Sequence, residues 1–202
     1  MTAALPRQHT RTKRAKLLSI ADQNGFLNHV AEKRHGLRNT VIALLSFKAG
    51  LRACEIAGLD WNMVLDASGK VADSIDVASN IAKKGSGRRI PCHPALRASL
   101  KTLHLQQGRP MSGAICRSER GDSMTAGGVV NWFTQAFREL GLQGCSSHSG
   151  RRTMITMAAR SLAKVGGSLR DVQELAGHRS LTTTEAYIEG DRAIQRRLIG
   201  LL

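Results

Sequence analysis

Tyr187 is the only tyrosine in this 202-residue chain, and it follows His178 by nine residues, with Thr182, Thr183 and Thr184 between them. A phenolic hydroxyl can attack phosphorus. In a protein with 30 Lys and Arg against 15 Asp and Glu, the phosphodiester at hand is nucleic acid. The plainer use of the same residue is a half-buried aromatic whose hydroxyl is satisfied by a neighbour. Which use applies depends on whether other segments supply cations and proton-transfer groups.

Three segments offer them. His148, Arg151 and Arg152 stand where Ser146-Ser147 leads into the apolar run Met154 to Ala163, at a helix start whose free N–H groups already favour anions. Arg52 and Glu55 sit at i,i+3 in the stretch from Gly50 to Trp61. They form either a surface ion pair, worth under ~1 kcal/mol, or a guanidinium held in place and presented to a phosphate. Lys83-Lys84-Gly85-Ser86-Gly87 is turn chemistry ahead of Arg88-Arg89-Ile90-Pro91, so lysines stand at a hairpin tip, solvated or reaching into a groove.

The elements that must hold these residues read as mainly α with one small antiparallel β-hairpin, an α+β chain. Helical spacing begins at Asn24 with Phe26, Leu27 and Val30. Thr40 to Lys48 is a core helix bounded by Asn39 and Gly50 as caps. Val71 to Ala82 alternates as a strand. Pro94 to Leu105 and Thr125 to Leu140 are amphipathic helices, Ser168 caps a short helix through Leu175 that Gly177 ends, and Thr182 caps the last turn before Tyr187. Residues 1–24 read as a basic, flexible arm, 25–190 as one domain, and 191–202 as an amphipathic tail helix, packed on its own domain or on a second copy.

Composition narrows the partner. A net charge of +15 calls for a polyanion, and 3% aromatic residues leave few platforms for stacking single-stranded bases, so duplex DNA fits best. Cys54, Cys92, Cys116 and Cys145 show no CxxC or Cys/His spacing, so reduced thiols, no metal and no cofactor are expected. No apolar run is long enough for a membrane span, which places the expected protein in the cytoplasm, on the nucleoid.

Taken in order, these pieces resemble the catalytic domain of the tyrosine recombinases, the phage-integrase family. Gly50 to Trp61 is similar to the family's first arginine box. Lys83, eight residues before Pro91, matches its hairpin lysine, with Arg88 three before that proline. His148-Ser149-Gly150-Arg151 matches the His-x-x-Arg box, and Gly177-His178 with Tyr187 matches the closing Gly-His and nucleophile spacing. The resemblance implies a site-specific recombinase that cuts and rejoins duplex DNA through a 3′-phosphotyrosyl link on Tyr187. Arg52, Lys83, His148, Arg151 and His178 would be catalytic, Glu55 would orient an arginine, and Lys84, Arg88, Arg89 and Arg152 would contact DNA. It implies a homodimer on each site, a homotetramer at synapsis with the tail helix exchanged, and DNA-bending accessory proteins. It also implies a member consisting of little beyond the catalytic domain, similar in size to the fimbrial-switch invertases. Glycine at position 150, where the family often has an apolar residue, should loosen its helix. Two alternatives are a DNA-binding accessory or regulatory protein with this fold and little strand exchange, and a topoisomerase-like relaxing enzyme.

Overall fold

A computed structural model of the chain describes residues 14–121 and 123–187, with Arg196, Ile199 and Gly200. Most of the expected arm, most of the expected tail helix and the side chain of Lys84 lie outside the described residues. Helix α1 (Ile20–Ala31) starts earlier than Asn24, inside the stretch assigned to the arm. A capping box is the cause: Asp22 N–H donates to Ser19 Oγ at 3.0 Å, and Ser19 N–H donates to the Asp22 carboxylate at 2.9 Å.

Helix α2 (Gly36–Phe47) is the axis of the domain. Its residues from Val41 to Phe47 are buried all round, because α1, α4 (Pro94–Gln106) and α6 (Ser149–Val165) pack about it. It begins after His35, so Asn39 is no cap; it is a buried residue within the helix whose side-chain oxygen accepts from Arg38 Nη2 at 3.0 Å. Helix α5 (Ala126–Glu139) is capped by Thr125, whose Oγ1 accepts from Gly128 N–H at 3.0 Å. It brings Phe133 and Phe137 to Phe26 of α1 and Phe47 of α2. All four phenylalanines of the chain thus form one buried cluster, with Phe26 and Phe137 centroids 4.8 Å apart.

The expected strand over Val71 to Ala82 shortens to β1 (Ser74–Val77), paired antiparallel with β2 (Arg88–Pro91). Val71 instead bridges to Leu65, and Ile81 and Ala82 N–H both turn back to Ala78 O. Lys83–Gly85 is a single 3-10 turn, so the hairpin ends in a broad loop. Short helices α3 (Ala53–Gly58), α7 (Leu169–Ala176) and α8 (Leu181–Glu185) complete the described residues. Ser180, and not Thr182, precedes α8 as its N-cap residue; Thr182 is inside it, its carbonyl accepting from Ala186 N–H.

Gly150 does not loosen α6. A Cβ built there would lie 2.3 Å from Phe47 Cδ1 and 2.4 Å from Ser46 Oγ, so the missing side chain is what lets α6 pack against the end of α2. That approach fixes the first turn of α6, which carries His148 and Arg151, beside the turn that carries Arg52.

Candidate active site

Arg52 precedes α3 and is only 16% exposed, while the Glu55 side chain is fully buried, which rules out a surface pair. The Glu55 carboxylate accepts from Arg52 Nη1 at 2.8 Å and from Arg52 N–H at 2.9 Å. Burial alone would push the Glu55 carboxyl up. The hydrogen bonds and charges of Arg88 and Arg52 nonetheless hold it below the usual carboxylate range. Among the described residues no protein group takes Nε or Nη2 of Arg52, so that edge of the guanidinium is open to an anion.

Arg88 departs from expectation. Its side chain is 6% exposed, and Nη1 and Nη2 grip both oxygens of Glu55 at 2.9 and 3.0 Å, while Nε donates to the carbonyl of Leu175 at 3.0 Å. It is buried against a carboxylate that needs a counter-charge, so it is not placed as a surface contact for DNA. Arg89, the next residue, points outward and pairs with Asp76 opposite it on β1, with Nη2 to Oδ2 at 2.9 Å.

Arg151, in the first turn of α6, is 3% exposed. It donates to Gly50 O at 2.5 Å, to Ala176 O at 2.6 Å, and to His178 Nε2 at 3.1 Å. Burial and the charge of Arg52 lower its pKa to about 10, which still leaves it cationic at neutral pH. His178 follows Gly177, whose φ of +61° ends α7; it donates or accepts at Nδ1 with Thr184 Oγ1 at 2.9 Å, and its carbonyl is held by Gln173 Nε2 at 2.9 Å. Burial, then Arg151, Arg52 and Arg88, lower the His178 pKa to about 4. The Tyr187 ring stacks on His178, centroids 5.4 Å apart, and packs on a small apolar cluster of Ile155, Val172 and Ala176. His148 immediately precedes α6 without a side-chain capping bond and lines the same cleft as Tyr187. The His148 pKa is lowered by partial burial and by Arg151, Arg52 and Lys83. Lys83, Arg52 and His178 share a cleft of about 330 Å³; His148, Arg151 and Tyr187 line an adjoining one of about 580 Å³.

All six residues expected to be catalytic therefore converge on one cleft region. Three guanidiniums, Arg52, Arg88 and Arg151, surround one buried carboxylate, an excess of positive charge that an entering phosphate would neutralise. Among the described residues no cluster of three or more His, Cys, Asp or Glu has the geometry to hold a metal ion.

Sequence reasoning missed the segment just before α1. Lys16 N–H donates to Gly144 O at 3.0 Å and Leu18 N–H to Thr153 Oγ1 at 2.8 Å, while Arg152 donates to Ala15 O and Arg14 to Ala186 O at 3.3 Å. Arg152 thus anchors a strap along α6 that ends beside Tyr187. The one signal for it was the apolar pair Leu17-Leu18, just after the cations Arg14 and Lys16.

The model of the phage integrase family matches residues 17–193. The chain is similar to the tyrosine recombinase XerC of Xylella fastidiosa (strain 9a5c), 26% identical over 180 residues that cover 89% of this chain and 58% of that protein. In general it spans about half the length of the curated relatives it matches. Its fold is that of a crystal structure of XerA recombinase, with a TM-score of 0.70 at 19% identity over 92% of this chain and 64% of that one. It is also that of a lambda integrase tetramer bound to a Holliday junction, with a TM-score of 0.63 at 20% identity over 86% of this chain and 48% of that one.

Proposed function

We propose that this chain, which belongs to the phage integrase family, is a site-specific recombinase that breaks and rejoins duplex DNA through Tyr187. The observation that carries the reading is the contact series Arg151 to His178 at 3.1 Å and His178 to Tyr187 at 5.4 Å between ring centroids, next to the open edge of Arg52.

In this mechanism Tyr187 Oη attacks phosphorus as its proton passes to His148. The P–O5′ bond breaks, Lys83 protonates the departing 5′-oxygen, and a 3′-phosphotyrosyl link remains. The reverse reaction with another strand's 5′-hydroxyl restores the phosphodiester, so no high-energy bond is spent. Negative charge grows on the non-bridging oxygens during attack, and Arg52 and Arg151, already fixed by Glu55 and by two backbone carbonyls, stabilise it without reorganising. Tyrosine has an ordinary pKa of about 10, so proton removal and a cationic field must assist it. The expected assembly is a dimer on each site and a tetramer at synapsis, in the cytoplasm, with duplex DNA and DNA-bending helpers as partners. The lambda integrase tetramer, bound to a Holliday junction, supports this by likeness of fold.

The test is a nicked duplex built from inverted repeats mapped in the DNA beside the gene. The wild-type chain forms an SDS-resistant protein–DNA adduct and Tyr187→Phe forms none. An adduct with the Tyr187→Phe chain defeats the assignment. Salt-sensitive binding with no adduct on any duplex would point to the accessory DNA-binding role, and relaxation of supercoils without recombinants to the topoisomerase-like one.

A further inference from the structure

A buried guanidinium is expensive unless every charge near it is answered, and Arg88 is answered by groups from two other segments. On one side, each oxygen of Glu55 takes one donor from Arg88 and one from Arg52. On the other, Arg88 Nε reaches the Leu175 carbonyl at 3.0 Å, in the last turn of α7, where helix carbonyls lack partners and cations are favoured. The next turn lies flat on the same side chain: a Cβ at Gly177 would stand 2.8 Å from Arg88 Cδ and 3.0 Å from its Nη1. That turn leads directly to His178. Arg88 itself stands at the start of β2, just past the loop that carries Lys83.

We infer that Arg88 is a positioning residue. Through Glu55 it sets the guanidinium of Arg52, and through Leu175 and Gly177 it sets the turn of His178, so that the β-hairpin, the first arginine and the histidine keep one mutual geometry. It touches no DNA phosphate. A planar, two-pronged head group is needed because the two Glu55 bonds and the Leu175 bond leave along fixed directions, which a lysine ammonium does not reproduce. This inference rests on the recombinase reading above.

The test uses the full chain, the same nicked duplex, and the variants Arg88→Gln and Arg88→Lys. Two quantities are measured: the rate of adduct formation at saturating DNA, and the slope of log binding constant against log salt. A displaced catalytic group costs on the order of 100-fold in rate, so Arg88→Gln should lose about that much, with Arg88→Lys between it and wild type. The salt slope should stay unchanged. A slope smaller by about 0.9, with an unchanged rate at saturation, would make Arg88 a phosphate contact and overturn the inference. Wild-type rates in both variants would overturn it as well. If Arg88→Gln melts out, Arg88→Lys, which keeps the charge against Glu55, decides alone. The ¹⁵N shifts of the His178 ring in the variants add a readout that does not need turnover: they should move, and unmoved shifts count against the inference. Absence of an adduct from wild type would sink the recombinase reading instead, leaving the His178 shifts to judge Arg88.

Discussion

Arg151 Nη2 donates to His178 Nε2 at 3.1 Å, and this fixes the protonation of the imidazole. A guanidinium has no acceptor, so Nε2 must be bare and the ring proton must sit on Nδ1, donating to Thr184 Oγ1 at 2.9 Å. The free protein therefore holds His178 neutral, in line with its pKa of about 4. A phosphate lodged between Arg52 and Arg151 would reverse the field and favour the imidazolium. In a ¹⁵N NMR titration, His178 should show the Nδ1–H tautomer and titrate near pH 4 when free. Its apparent pKa should be higher on duplex DNA. An Nε2–H tautomer in the free protein would contradict the geometry.

The same depression makes stability depend on pH. Unfolded histidine titrates near ~6.5, so between that value and the folded pKa the unfolded chain binds more protons. The contribution of His178 is complete above the unfolded pKa and is lost as pH falls toward about 4, and His148, also lowered, adds in the same direction. Melting temperature should drop on acidification from roughly pH 6.5 to 4.5, above the range where most carboxylates protonate. His178→Gln should flatten that slope; an equally steep slope in the variant would remove His178 as its source.

Among the described residues Glu55 is the one carboxylate bonded to Arg52 and Arg88, with Arg151 close enough to feel its charge. Glu55→Gln leaves the arginines buried without it and should cost about 3–5 kcal/mol of unfolding free energy. Inorganic phosphate should raise the melting temperature of both proteins, and proportionally more in Glu55→Gln, by occupying the cationic cleft. Potassium chloride at equal ionic strength should not. Equal effects of the two salts would show general screening and no site.

What could be read from the chain was set by spacing along it. Arg52, Lys83, His148, Arg151, His178 and Tyr187 fall in recognisable local patterns, and helices α4, α5 and α7 follow from apolar periodicity and caps. What could not be read depends on distant partners. Arg88 and Arg89 are neighbours of one residue type, yet one is buried against Glu55 and the other pairs on the surface, because strand alternation and a carboxylate 33 residues away decide it. Likewise Gly150 looks like a weak helix residue until Phe47 and Ser46 stand against it.

That contact yields its own prediction. Gly150→Ala would raise helix propensity, but its methyl must displace Phe47 or Ser46, and overpacking of this kind costs about 1–3 kcal/mol. Denaturant midpoints should show a net loss of stability. A gain would mean that α6 and α2 are farther apart than described.

The strap supplies the last prediction. Arg152 lies in the first turn of α6, facing the cleft region, where it could serve either DNA or the chain itself, and its bond to Ala15 O assigns it to the chain. Removing it should free residues 14–18 from α6 while leaving the helix intact. The effect is then read at two amides, Lys16 N–H on Gly144 O and Leu18 N–H on Thr153 Oγ1. Hydrogen exchange at both should accelerate in Arg152→Ala, more at Lys16 than at Leu18, because Leu18 is also held by its buried side chain, 4% exposed. Since Arg14 bonds the carbonyl just ahead of Tyr187, the freed strap should also slow adduct formation at saturating DNA. A variant with wild-type exchange at both amides but a shallower salt dependence of binding would return Arg152 to the DNA surface.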